Sequence, residues 1–145
     1  MTEFFIRKAS LEDLEEIKKL NQLLFIKEQK EFDNHYNINW PLEEKGESYF
    51  RQELTDDDRV ILVAEKDSNI AGYLAGSSET DSRYQNNAKI AELDNMFIDK
   101  NFRGQGIGTK LVDEFLNWCK EVGAKRVVVT ASAGNEAGIK FYKKH

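Results

Sequence analysis

The sequence predicts an α/β (α+β) fold in which helices flank one mixed, mostly antiparallel sheet. Strand-like apolar runs separated by turns follow one another through residues 59–98, and apolar residues recur at helical spacing on either side, in 11–24 and 107–122. Parallel pairing is expected only where a helix joins two strands. At 145 residues the chain has the usual length of one domain, so we expect 1–145 to form a single domain.

The N-terminal third predicts a strand and two helices. EFFIRKA (3–9) reads as the first strand, and Ser10 with Asp13 has the spacing of a capping box that starts a helix. Residues 28–58 are polar, with ten acids against three bases; Trp40-Pro41 should interrupt regular structure, and 42–54 should form a second helix. The residues expected on the buried face of the first helix are Leu11, Leu14, Ile17, Leu20 and Leu24.

The rest of the chain predicts four strands and two helices. RVILVAEK (59–66) and IAGYLAGSS (70–78) form a hairpin around DSN, and a polar loop (77–87) leads to a strand over 88–98. RVVVTAS (126–132) reads as a buried strand, and Asn135 caps a last helix, EAGIKFYKK. The apolar stripe of the helix between them, which should stop at Gly123, is Ile107, Leu111, Phe115, Cys119 and Val122.

Composition excludes several classes of protein. No apolar run approaches the roughly 20 residues of a membrane span, and MTEFFIRKAS lacks the pattern of a signal peptide. Without such a run, no membrane partner is expected. The single cysteine cannot form an intrachain disulfide, which suits a reducing compartment, so we expect a cytoplasmic protein. One cysteine and two histidines give no metal-ligand spacing, so no metal is expected. A net charge of −5 argues against nucleic acid as a partner.

Charge is divided unevenly along the chain. Residues 100–145 hold nine Lys and Arg against four Asp and Glu, whereas residues 1–99 hold twelve against twenty-two. The C-terminal third therefore suits an anion and the rest a cation, unless the asymmetry is only unspecialised surface charge.

The segment NMFIDKNFRGQGIGTKL (95–111) places three glycines between a strand and a helix. Free backbone N–H groups at a helix N-terminus bind phosphate, and glycines let the ligand approach closely. Arg103 and Lys110 add positive charge. The spacing matches neither the dinucleotide fingerprint G-x-G-x-x-G nor the P-loop, so a nucleotide-binding enzyme is disfavoured. Taken alone, the glycines could also mark a simple turn.

Arg103-Gly104-Gln105-Gly106-Ile107-Gly108 fits the pattern Q/R-x-x-G-x-G/A, and N-x-x-x-x-x-F-Y follows from Asn135 to Tyr142. With these motifs, nearly the whole chain resembles the GNAT superfamily of N-acetyltransferases. The resemblance implies a sheet whose fourth and fifth strands splay apart around the glycine-loop helix. Family members usually continue into two more strands after the F-Y helix, and this chain ends at His145, so we expect those strands to be absent or supplied by a partner.

The resemblance implies acetyl-CoA as cosubstrate. The loop amides would hold its pyrophosphate, the backbone of the fourth strand would pair with the pantetheine arm, and Asn135 would lie beside that arm. The cofactor-binding residues expected on this basis are Met96, Phe97, Ile98, Arg103, Gly104, Gln105, Gly106, Ile107, Gly108, Thr109 and Asn135.

The catalytic residues implied by the resemblance are Tyr142 as the acid that protonates the departing thiolate and Glu92 as the base, with Asp94 as its substitute. Alternatively, Tyr142 only packs in the core, and Glu92 and Asp94 only attract a cationic substrate. A backbone N–H within 96–98 would polarise the carbonyl. Cys119 lies on the apolar stripe of its helix, so we expect direct transfer without an acyl-cysteine intermediate.

In this family the segment between the first helix and the second strand lines the acceptor site. Here it is acidic and aromatic, which suits a cationic primary amine: a polyamine, an aminoglycoside-like amine or a peptide amine. An acidic, solvated helix would look similar. Many family members pair as dimers, so the resemblance also allows a homodimer. A non-catalytic acyl-CoA-binding module is the alternative function. The acceptor-site residues are Glu28, Glu31, Asp33, Glu43, Glu44 and Glu47, with Tyr36 and Trp40.

Overall fold

The computed structural model describes residues 3–32, 37–80 and 88–129, which form a mixed sheet with helices on both faces. The strand order is β1-β2-β3-β4-β5; all neighbours pair antiparallel except β4 and β5, which are parallel. The predicted fold class is confirmed. The strands are β1 (Phe5–Lys8), β2 (Arg59–Lys66), β3 (Asn69–Thr80), β4 (Lys89–Ile98) and β5 (Ala124–Val129); the helices are α1 (Leu14–Phe32), α2 (Glu44–Thr55) and α3 (Ile107–Glu121).

The sheet separates two layers of apolar core. Alternate residues of a strand point to opposite faces, so β2 sends Val60 and Leu62 toward α3 and Val63 toward α1 and α2. Phe115 of α3 and Phe50 of α2 are both fully buried at the centres of these layers. The sheet is therefore held between α3 on one face and α1 with α2 on the other.

The start of α1 forms as predicted, with one correction. The Ser10 N–H donates to the Asp13 carboxylate at 2.8 Å, which is the reciprocal bond of a capping box. A single 3-10 turn, Leu11–Asp13, precedes the α-helix. This tighter turn takes Leu11 off the buried face and leaves it 47% exposed, so its predicted burial is wrong.

Trp40-Pro41 precedes α2, as predicted, and lies in a 3-10 turn, Trp40–Leu42, with proline at its start, where no intrahelical N–H bond is lost. The Trp40 ring stacks on Phe25 with centroids 6.1 Å apart and lies 5.5 Å from the ring of Tyr49. This aromatic contact joins α1 to α2 beside the sheet.

Two strand predictions need correction. β3 continues to Thr80, so the predicted loop cannot begin at residue 77. β5 was expected to be buried, but Val128 is 41% exposed, because within the described residues β5 pairs with β4 alone. α3 ends as predicted before Gly123, whose φ is +79°. Among the described helices, none is long and apolar enough to cross a membrane. The predicted last helix lies outside the described residues.

Candidate functional site

The glycine loop leads directly into the N-terminus of α3. Gly104 and Gly106 both have φ near +80°, a left-handed conformation that glycine adopts without steric cost. Among the described residues, no atom lies within 4 Å of a Cβ added to either glycine, so that part of the chain leaves this side of the loop open. The first N–H groups of a helix have no intrahelical carbonyl partner. The loop therefore offers a row of unobstructed donors to an anion.

The charges around the loop also favour an anion. The first turn of α3 holds no acidic residue, and its dipole adds positive potential at this end. Lys110 is exposed in that turn, and Lys66 reaches from the β2–β3 hairpin to donate to Gln105 Oε1 at 2.6 Å. Backbone donors and two lysines therefore meet at one place, as a pyrophosphate requires.

Arg103 turns back toward β4 instead of extending from the loop. Its Nε donates to the Ile98 carbonyl at 3.0 Å, and its guanidinium carbon lies 5.4 Å from the centre of the Phe97 ring. These two contacts tie the loop to the end of the strand. The described contacts of Arg103 are therefore with the protein's own backbone and ring, and its role toward a cofactor stays a prediction.

The last part of β4 has an edge that faces away from β3. The Asp99 N–H donates to the Ala71 carbonyl at 2.8 Å, and hydrogen-bonding groups alternate along an antiparallel strand. Asp99 and Phe97 therefore point their N–H groups at β3, whereas those of Met96 and Ile98 point the other way. Within the described residues, pairing with β5 stops at Leu93. The edge at Met96 and Ile98 lies where the pantetheine arm is expected.

A β-bulge in β4 places the candidate base. Ala75 pairs with Asn95 and Gly76 pairs with Leu93, so Asp94 is an extra residue with no partner on β3. Asp94 accepts a hydrogen bond from Ser77 and lies against the Glu92 carboxyl. Glu92 and Asp94 thus come together, as expected for the base and its substitute.

Burial raises the pKa of the Asp94 carboxyl to about 7, and the negative charges of Glu92 and Glu53 act in the same direction. A carboxyl with this pKa is substantially ionised at neutral pH and still holds a proton well. These are the properties of a general base that must take a proton from an ammonium group. The raised pKa of Asp94 depends partly on the negative charge of Glu92, so the two carboxyls act as one group in any proton transfer.

Glu53 and Tyr49 of α2 cover this pair, and sequence reasoning missed both. Glu53 is 1% exposed and forms an ion pair with Arg59, yet its Oε2 has no hydrogen-bond partner among the described residues. Burial raises the pKa of Glu53 and that of Tyr49, so the phenol remains a donor. The sequence did contain one signal: Tyr49 and Glu53 are four residues apart, so they share one face of α2, beside the buried Phe50.

The acids that were predicted to line the acceptor site do not all come together in the structure. Glu28 is buried, whereas Glu31 pairs with Lys27 and Glu47 pairs with Lys18 at 3.0 Å. Glu43 accepts from Asn37, and Glu44 is exposed. Asp33 and Tyr36 lie outside the described residues. The acids that do converge are Glu53, Glu92 and Asp94, at the inner end of α2.

Tyr142 and Asn135 also lie outside the described residues, so their roles stay predictions. Cys119 of α3 is buried in the core, and burial raises the pKa of its thiol to about 12. A thiol with that pKa is not a nucleophile at neutral pH. This agrees with direct transfer.

Comparison with known proteins places the chain among acetyltransferases. The model of the acetyltransferase (GNAT) family matches residues 20–145. An uncharacterized N-acetyltransferase of Methanocaldococcus jannaschii is 26% identical over 141 residues, which cover 97% of this chain but only 59% of that relative's length.

Two solved structures share the fold. An acetyltransferase of Clostridium acetobutylicum, solved with acetyl-CoA, superposes with a TM-score of 0.78 at 23% identity, covering 98% of this chain and 88% of that one. An aminoglycoside N-acetyltransferase solved with CoA gives a TM-score of 0.74 at 18% identity, covering 99% and 87%.

Proposed function

The chain belongs to the acetyltransferase (GNAT) family, and we propose that it transfers an acetyl group from acetyl-CoA to a primary amine. The observation that carries this proposal is the open glycine loop at the start of α3, which lies at the end of the strand that also bears the Glu92 and Asp94 carboxyls. One strand thereby links an anion site to a base.

The residues present fit the donor. The N–H groups of 104–109 hold the pyrophosphate in this proposal, with Lys66 and Lys110 adding charge. The outward-facing backbone of Met96 and Ile98 pairs with the pantetheine arm. Arg103 holds the loop against the strand, because its guanidinium already contacts Ile98 and Phe97.

Acetyl-CoA supplies an activated thioester, and the chain supplies proton transfer and orientation. Asp94 accepts the proton that the acceptor ammonium loses, so that the neutral nitrogen can form its bond to the acetyl carbon. The carbon–sulfur bond breaks, Tyr142 donates the proton that the thiolate needs, and the second proton lost by the nitrogen as the amide forms returns to the Tyr142 phenolate. A backbone N–H in 96–98 stabilises the negative charge that develops on the acetyl oxygen.

The acceptor in this proposal is a cationic primary amine. Glu53, Glu92 and Asp94 provide negative charge, and Trp40 and Tyr49 provide aromatic faces nearby. The name of one structural neighbour, an aminoglycoside N-acetyltransferase, is compatible with such an amine. A peptide amine is also an acceptor that this proposal allows. The same proposal allows the enzyme to be a homodimer.

Calorimetric titration of acetyl-CoA tests the site. Gly106→Asp puts bulk and negative charge where the pyrophosphate is expected, so it should weaken binding at least tenfold. Gly123→Asp is the matched control, because Gly123 also has a φ near +80° and open space around it, at the opposite end of α3. The control variant should bind as the wild type does.

Equal affinity of all three proteins would contradict the proposed cofactor site. Tight binding by the wild type without turnover on a broad panel of amines would instead favour an acyl-CoA-binding module. Release of the CoA thiol with an amine present, and not without it, is the result we expect.

A further inference from the structure

A pocket of about 430 Å³ opens on the sheet beyond the end of α2. Its size is in the range of small-molecule sites. Ser77 lines this pocket and also hydrogen-bonds to Asp94, so the pocket leads to the proposed base. Its lining residues are Asp56, Asp58, Arg59, Ser77, Ser78, Glu79, Ile90, Glu92, Arg126 and Val128.

The pocket has a surplus of negative charge. It contains four carboxylates and two guanidinium groups, and one of these, Arg59, is bound to Glu53 and lies 3.6 Å from Asp56. Arg126 also has a partner within the protein. Asp58 and Glu79 are exposed, and neither has an ion pair in the part of the chain that the structure describes. These two acids are available to an incoming cation.

A second observation, independent of this charge, also indicates a ligand with hydrogen-bond donors. Near Asp94, the Asn95 Oδ1 and the Glu53 Oε2 are buried acceptor atoms without a close donor among the described residues, while the Glu53 carboxyl as a whole interacts with Arg59 and Tyr49. Glu53 is 99% buried. Buried acceptors are normally paired, and a protonated amine carries three N–H donors.

We propose that the acceptor is a small aliphatic polyamine, which presents one amine to Asp94 and places a second ammonium group between Asp58 and Glu79. This inference rests on the proposed acetyl transfer and names its substrate class. Glu79 pairs with Ile90, and Ser77 pairs with Glu92. At about 3.3 Å per residue, Ser77 and Glu79 therefore lie beside points of β4 that are roughly 7 and 13 Å from Asp94. These two distances bracket the expected separation of the two amines.

The test compares terminal diamines, from 1,3-diaminopropane to 1,10-diaminodecane, with monoamines of the same length. Wild-type kcat/KM should favour the diamine about tenfold or more, with an optimum at an intermediate length, and the preference should shrink as salt screens the charges. In the double variant Asp58→Asn, Glu79→Gln the ratio of diamine to monoamine should fall to about one. Asp57→Asn, which alters an exposed neighbouring acid outside the pocket, should keep the wild-type ratio.

Equal rates for diamines and monoamines in the wild type would overturn the polyamine site and leave acetyl transfer intact. A preference that survives in the double variant, or faster acetylation of peptides than of diamines, would overturn it as well. If no amine is acetylated and acetyl-CoA does not bind, the proposed function fails, and the inference fails with it.

Discussion

The ionisation of Asp94 should control the pH dependence of acetyl transfer. If Asp94 deprotonates the bound ammonium, only enzyme with an ionised Asp94 is productive. Burial and the Glu92 and Glu53 charges raise the pKa of Asp94 to about 7. We therefore expect kcat/KM to rise with pH below 7 and then to level off. Asp94→Asn should remove this step together with most of the activity.

The size of the effect follows from that pKa. At pH 6, one unit below it, about one molecule in eleven has the ionised carboxylate, so kcat/KM should be about tenfold below its plateau. The plateau should extend to the pKa of the amine, about 10 for an alkylamine by analogy with lysine. Glu92→Gln removes a negative neighbour, which lowers the pKa of Asp94 and should move the step to lower pH.

Release of the CoA thiol, followed from pH 5 to 9 with saturating acetyl-CoA and limiting amine, measures the profile. Asp57→Asn is the control and should reproduce the wild-type step. A rate that climbs with constant slope from pH 6 to 9 would refute the reasoning, because it would mean that the neutral amine is taken from solution without a base. Failure of Glu92→Gln to move the step would refute the role of Glu92.

Two further predictions concern the loop and the core. Arg103→Met should lower kcat more than it weakens acetyl-CoA binding and leave the salt dependence of that affinity unchanged, since the guanidinium is bound to the Ile98 carbonyl and packs on Phe97. A Lys110→Met control should reduce the salt dependence. Gly76→Ala should lower the free energy of unfolding by about 1–3 kcal/mol in chemical denaturation, because its Cβ would lie 2.3 Å from Cε1 of the fully buried Phe115; an unchanged midpoint would contradict this.

Sequence patterns predicted those elements whose periodicity is set by burial on one face. The strand Arg59–Lys66 has the predicted bounds, and α3 carries the predicted stripe, because alternation and helical spacing record which side chains leave water. The aromatic contacts that hold the 3-10 turn at Trp40 were not predictable, because local propensity does not reveal contacts between distant segments.

The site was predicted where it depends on backbone and missed where it depends on packing between distant segments. The positive φ of Gly106 follows from its type and position, so the loop was visible in the sequence. Glu53 of α2 lies 41 residues from Asp94, and no local pattern indicates that the two carboxyls share an environment. The same tertiary packing raises the pKa of Asp94.

The bulge at Asp94 explains how one strand can serve two parts of the site. Before it, Leu93 faces α3; after it, Phe97 faces α1 and α2 while Met96 packs toward α3. Without the extra residue Met96 would face the opposite layer. With it, the Met96 side chain lies near Gly108 at the start of α3, with its Cε 3.9 Å from the position of an added Cβ. The bulge thus directs one side of β4 to the glycine loop and leaves Asp94 on the side of α1 and α2, which is the arrangement that the proposed meeting of two substrates across one strand requires.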